Sequence, residues 1–150
     1  IGAGGLGSPL LLYLAAAGSG ATRNDARIEA SPGEALAQAR VAGPKKFLER
    51  LSAIDPATIH EPKIHSLALR MTRVAEGRID AAFASIHAYD WDLAAADLLV
   101  HEAGGVMTNL AGELLVYNLH DPVHGAVLAA GRDRHAAMLD LVRDGRKEFA

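Results

Sequence analysis

The stretch Trp91-Asp92-Leu93-Ala94-Ala95-Ala96-Asp97-Leu98-Leu99-Val100-His101-Glu102-Ala103-Gly104-Gly105 constrains the fold more than any other part of the chain. An aspartate stands where a long, alanine-rich apolar run begins, and two glycines stand where it ends. That order predicts a helix over 92–103. The Asp92 carboxylate can accept hydrogen bonds from first-turn N–H groups, in the favourable field of the helix dipole. Gly104-Gly105 permits a left-handed C-cap. Ala94, Ala95 and Ala96 let a neighbouring element approach closely. An aspartate kept ionised in this way is either a plain cap or, in addition, a hard-oxygen ligand of the kind Mg²⁺ takes.

Around this helix, apolar runs of strand length alternate with helical patterns. Strands are predicted over 27–30, 38–42, 79–85 and 125–130, with a hairpin over 106–117 that turns at Ala111-Gly112. Helices are predicted from Pro44, at a first helical position, to about Ile54, and over 133–142. Another runs from a Ser66 N-cap to Gly77, with Leu67, Met71, Val74 and Ala75 in one apolar stripe. The alternation predicts an α/β domain, a layered sheet with flanking helices. The chain length of 150 residues suits one domain. It divides into a Gly/Ala-rich segment over 1–17, expected to be the least ordered part, and a folded domain over 18–150.

Apolar residues make up 50% of the chain and charged residues 22%, a balance that argues for a packed globular domain and against disorder. The formal net charge of −3 offers no basic excess for nucleic acid or a membrane surface. The absence of cysteine excludes disulfides, thiolate zinc sites and a cysteine nucleophile, and it suits a reducing, cytoplasmic setting. Leu10–Ala17 falls short of the roughly 20 apolar residues that cross a bilayer, and it lacks the positive flank of a signal peptide. A start at Ile1 rather than Met fits a processed or truncated piece.

The 91–105 stretch resembles the second signature of the inositol monophosphatase superfamily: Trp-Asp, small residues, an apolar run and Glu-Ala-Gly-Gly. Gly20-Ala21-Thr22-Arg23-Asn24 resembles the family's Gly-x-Gly-Ala-x-x-Asn-Gly segment, with Asp25 in place of the glycine. Val74-Ala75-Glu76-Gly77-Arg78-Ile79-Asp80-Ala81 resembles its Val-Ala-x-Gly-x-x-Asp-Ala. The resemblance covers residues 18–150, corresponds to the C-terminal half of the family fold, and over Lys63–Gly105 is nearest the bacterial 3′(2′),5′-bisphosphate nucleotidase branch. It implies a Mg²⁺-dependent phosphomonoesterase in which water attacks phosphorus in line while metal ions neutralise the developing charge. It implies Asp92 as a metal ligand, and Ser66, Leu67, Ser85 and Asp90 as substrate-binding positions. The implied substrate is 3′-phosphoadenosine 5′-phosphate or an inositol phosphate. Ala84 and Ser85 occupy the region where one family member holds inositol hydroxyls with a glutamate, which favours a nucleotide phosphate.

The family's first signature, Asp-Pro-Ile/Leu-Asp-Gly-Thr, is absent from the chain, as is its upstream glutamate pair. Asp121-Pro122-Val123-His124-Gly125-Ala126 imitates it but places histidine at a carboxylate position and alanine at the hydroxyl position. It also lies after the second signature, and reads as the turn into the 125–130 strand. One aspartate does not hold two ions about 4 Å apart. The isolated chain is therefore expected to be a poor catalyst, and a half-fold is expected to expose apolar surface that favours homo-oligomers.

A different reading starts from Gly2-x-Gly4-x-x-Gly7, which fits the phosphate-binding dinucleotide fingerprint. Residues 1–18 resemble the ATP-binding loop of ubiquitin-activating-enzyme-like adenylyltransferases, without the strand that should precede such a loop. On that reading the chain is a non-catalytic nucleotide-binding or interaction module built on Gly2, Gly4 and Gly7. The histidines lack the His-x-x-x-His spacing of a helical zinc site, since Asp121-Pro122 interrupts His120 and His124, and they read as surface or loop residues. Lys45-Lys46 reads as a solvated face. Trp91, Tyr89 and Phe83 read as core side chains rather than stacking platforms.

Overall fold

The computed structural model describes residues 10–144. In chain order the elements are β1 (Tyr13–Ala16), β2 (Gly20–Arg23), β3 (Ala26–Ile28), β4 (Arg40–Ala42), α1 (Lys45–Ile54), β5 (Ile59–His60), α2 (Leu67–Ala75), β6 (Ala81–Ala84), β7 (Ala88–Tyr89), α3 (Asp90–Glu102), β8 (Gly105–Asn109), β9 (Val123–His124), β10 (Val127–Gly131) and α4 (Arg132–Asp144). The central sheet has the order β5-β4-β6-β10-β8. β4 runs parallel to β5 and β6, while β10 is antiparallel to both β6 and β8. The predicted α/β class is the observed one.

Side chains alternate across this sheet, as the strand period of two requires. Ala42, Ala82, Ala84, Met107, Val127 and Ala129 face a core completed by α2 and α3. Val41, Ala81, Phe83, Leu128 and Ala130 face the opposite core, completed by α1 and α4. Both faces are covered, so β6 and β10 read as continuous apolar runs instead of alternating ones. Alanines dominate the α2/α3 face, which lets both helices sit close to the sheet and brings their N-termini to one edge. Phe83 is fully buried, as expected of a core aromatic.

β1, β2 and β3 form a separate antiparallel sheet. Arg23 pairs with Ala26 across a two-residue turn. Asn24 and Asp25 both take positive φ, 47° and 66°, as the I′ hairpin geometry demands. Asp25 thus tolerates the left-handed conformation where glycine would be the easier residue. The boundary drawn at residue 17 falls inside this sheet, because β1 pairs with β2 from Tyr13↔Arg23 to Ala16↔Gly20. The pairing is fixed from outside the segment: the Glu102 carboxylate, at the end of α3, accepts N–H bonds from Gly18 at 2.9 Å and Gly20 at 2.8 Å.

Ser66 caps α2 as predicted, its Oγ accepting the Leu69 N–H at 3.2 Å. Pro44 is the N-cap of α1, and Lys45 and Lys46 are exposed. The expected 106–117 hairpin is reduced to β8 and a single bridge, Thr108↔Leu114. The Asp121–Ala126 segment does lead into β10, and on the way it adds β9, which pairs with β7. No helix of the described residues is long and apolar enough to cross a membrane.

Candidate functional site

A cleft of about 410 Å³ opens at the C-terminal end of β6, and the N-termini of α2 and α3 converge on it. His65, Ser66, Leu67, Ala84, Ser85 and Asp92 are among its lining residues. Ligands of α/β sheets commonly bind at the carboxyl ends of strands. The first-turn N–H groups of Leu67 and Ala68 have no partner within α2, so this edge presents amide donors together with the positive end of a helix dipole.

Arg70 also lines the cleft. Its Nη atoms donate to the Phe83 carbonyl at 3.0 Å and the Ile64 carbonyl at 2.7 Å, tying α2 to the end of β6 and to the loop that enters α2. Its Nε is buried without a hydrogen-bond partner. Burial lowers the guanidinium pKa, yet an arginine at this depth stays a cation. Among the described residues it has no carboxylate partner. No motif marks Arg70 in the sequence, although its position four residues after Ser66 places both on one face of α2.

Asp92 lies at the third helical position of α3, not at the N-cap. The helix starts two residues earlier than predicted, Tyr89 is the N-cap, and Asp92 Oδ2 accepts the Tyr89 N–H at 3.2 Å. The carboxylate is half-buried in the cleft wall, still in the first turn. It is the sole carboxylate among the lining residues, and the described residues contain no group of three or more His, Asp or Glu side chains that could hold a metal ion. Hard cations such as Mg²⁺ need several oxygen donors or retained waters, so the residues described here do not by themselves fit a Mg²⁺ centre.

Of the predicted substrate positions, Ser66, Leu67 and Ser85 come together with Asp92 in the cleft. Asp90 does not line it. Its Oδ2 accepts the Asn118 N–H at 2.8 Å, and its Oδ1 lies 2.6 Å from His124 Nε2. The Asn118 amide and then the His124 ring hold its carboxyl below the usual range, against the opposing effect of burial. Asp90 therefore ties the start of α3 to the 118–124 loop. Gly2, Gly4 and Gly7 lie outside the described residues.

Four side chains differ from expectation. Trp91 is 71% exposed instead of anchoring the core, and it stacks on Tyr89, itself 38% exposed. The ring centroids are 4.5 Å apart and the planes 8° from parallel. The spacing of α3 accounts for this: Leu93, Ala96, Asp97 and Val100 form the inward stripe, and a residue two positions before Leu93 points about 200° away from it. Nor are the histidines uniformly superficial. His124 is largely enclosed beside Asp90, and His135 is buried with Nε2 3.0 Å from Thr108 Oγ1.

Behind the cleft, Asp80 at the start of β6 organises a polar cluster. It receives Ser31 Oγ at 2.7 Å and both the backbone N–H, at 2.8 Å, and Nε, at 3.0 Å, of Arg40. Burial pushes this carboxyl up, but the Arg40 and Ser31 hydrogen bonds and the Arg40 charge together outweigh it, leaving the pKa at about 2. A larger groove of about 500 Å³ is lined by Arg40, Glu61, Lys63, Arg73 and Arg78. Most of its cations are already engaged, Arg40 by Asp80 and Arg73 and Arg78 by Glu76.

Sequence and structure comparisons agree with this architecture. The model of the inositol monophosphatase family matches residues 4–145, so the match extends beyond the 18–150 resemblance into the Gly/Ala-rich segment. Nus factor SuhB of Vibrio cholerae is 34% identical over 110 residues, covering 67% of this chain and 41% of that protein. Inositol monophosphatase 2 of Rattus norvegicus is 32% identical over 139 residues, covering 85% of this chain and 46% of that protein. The crystal structure of the extragenic suppressor protein suhB from Bartonella henselae superposes with a TM-score of 0.74 at 26% identity, over 89% of this chain and 54% of that one. The chain thus spans about half the length of the relatives it matches. With the family model matching residues 4–145 of its 150 and its fold shared with a solved relative, this chain belongs to the inositol monophosphatase family.

Proposed function

We propose that this chain is the substrate-positioning portion of a Mg²⁺-dependent phosphomonoesterase, acting on a small phosphorylated compound of the nucleoside 3′-phosphate or inositol phosphate type. The observation that carries the reading is the meeting of Ser66, Leu67, Ser85 and Asp92 in one cleft at the α2 and α3 N-termini. The unpaired amides of Leu67 and Ala68, the α2 dipole and the half-buried Arg70 cation suit a phosphate dianion. Asp92 faces the same space and would supply one oxygen to a Mg²⁺ ion, whose charge supports phosphate hydrolysis. The other donors, the base and the water-orienting hydroxyl lie outside this chain on this reading.

Absent general acid–base groups cost about 10²–10⁴-fold each, so the isolated chain binds substrate but turns it over poorly. The test is an assay of the purified chain against 3′-phosphoadenosine 5′-phosphate and inositol 1-phosphate with millimolar Mg²⁺, beside an Asp92→Asn control. Little or no phosphate release is expected from either protein. Robust turnover abolished by Asp92→Asn would overturn the division of labour, by showing that this chain holds a complete site.

A further inference from the structure

The rings of Tyr89 and Trp91 stand exposed beside the cleft, stacked on each other. Trp91 retains 71% exposure although Tyr89 covers one of its faces, so its opposite face and edges are open to solvent. Two large rings stacked nearly parallel form a rigid, flat surface, and Tyr89 is held in place because its backbone N–H is tied to Asp92. Trp91 lines the same cleft as Ser66, Ser85 and Asp92. Ile86, 61% exposed, adds apolar surface on that wall.

We infer that the Tyr89–Trp91 stack is a platform for a planar base, so that the cleft takes nucleoside phosphates in preference to inositol phosphates. This rests on the phosphate reading of the cleft given above and names its substrate class. A base offers a π-face to an aromatic side chain, with removal of such a contact typically weakening binding by about 5- to 100-fold. A saturated cyclitol offers no such face and gains only apolar contact.

Trp91 is the single tryptophan of the chain, so its fluorescence reports on this surface alone. The full chain is titrated with 3′-phosphoadenosine 5′-phosphate, adenosine and inositol 1-phosphate, with calorimetry for variants that lack the fluorophore. The expected result is saturable quenching by both adenine compounds and none by inositol 1-phosphate. Trp91→Ala should weaken 3′-phosphoadenosine 5′-phosphate by about 5- to 100-fold and leave inositol 1-phosphate unchanged, while Trp91→Phe, which keeps a ring, retains most of the affinity. If inositol 1-phosphate binds as tightly as the nucleotide and Trp91→Ala affects neither, the platform is refuted while the phosphate cleft stands. If adenosine quenches as well as the bisphosphate and phosphate adds no affinity, the platform stands and the phosphate reading falls. Binding of none of the three overturns both.

Discussion

Asp90 and His124, 34 positions apart in sequence, meet with Oδ1 and Nε2 at 2.6 Å, and this contact fixes the 118–124 loop against the first turn of α3. Tyr117 extends it: the Tyr117 ring packs at 5.2 Å on His124 while its hydroxyl donates to Asp97 Oδ2 at 2.8 Å. The loop is thereby held to α3 at both ends of a helical stretch, and Asp92 is positioned within the anchored turn. Asp90→Asn should lower the melting temperature and broaden the amide signals of residues 118–124, with the difference from wild type shrinking as pH falls and the wild-type carboxyl protonates. An unchanged melting temperature and unchanged loop signals would show that the contact positions nothing.

Asp80 should govern acid stability at the low end. Its folded pKa of about 2 lies below that of an unfolded aspartate, near 3.9. The stabilisation is therefore fully present above about pH 4 and lost as pH falls toward 2, amounting to about 2 kcal/mol. Asp80→Asn leaves Arg40 and the buried Arg134 without their carboxylate, and should cost about 3 kcal/mol at neutral pH. Urea unfolding of both proteins at pH 7 and pH 3 checks this, since the gap between them should narrow at the lower pH.

His135 should act over a higher window. Burial, with His101 and Arg143 adding to it, lowers the imidazole pKa to about 4, well below an unfolded histidine near 6.5. The unfolded chain then binds more protons between these values, so stability is complete above about pH 6.5 and falls as pH drops toward 4, by about 3 kcal/mol in all. Titration of the ring resonances should find His135 neutral at pH 5.5, whereas ordinary exposed imidazoles are protonated there. A His135 that titrates near 6.5 would remove this contribution.

Gly131→Ala should be among the most damaging substitutions on the sheet. A Cβ at Gly131 would stand 2.2 Å from the Ser31 carbonyl oxygen, a backbone atom that cannot swing aside. Gly131 closes β10 opposite Gly105 and carries the chain directly into α4. Overpacking of this kind costs about 3 kcal/mol or more, to be read from the denaturation midpoint. Wild-type stability in Gly131→Ala would mean that the Ser31–Asp80–Arg134 corner is softer than described.

Much of this architecture is legible from local pattern. The Ser66 cap, the α2 stripe, the apolar runs of β6 and β10 and the Ala-rich α3 each carry their own signal within one or two turns. What escapes is set by partners distant in sequence. β1 looks like part of an unstructured Gly/Ala segment until β2 pairs with it and Glu102 reaches the Gly18 and Gly20 amides. β7 and β9, two residues each, exist by pairing with one another. Asp90 reads as a site residue from its place beside Trp91 and Asp92, and only the fold reveals His124 as its partner. The outward position of Trp91 is legible in the sequence too, because the inward stripe of α3 places position 91 on the outer side despite tryptophan's usual preference for burial.

The proposed function stands on phosphate being held at the α2 and α3 N-termini, with Asp92 lending one ligand to a cation there. Amide chemical-shift mapping of the full chain with inositol 1-phosphate, which makes no demand on the aromatic platform, tests it most directly. With Mg²⁺ present, saturable shifts of the Leu67, Ala68 and Ser85 amides are expected, with a weaker response in Asp92→Asn. Shifts centred instead on the groove of Arg40, Arg73 and Arg78, or none at Leu67 and Ala68 at saturating ligand, would contradict it.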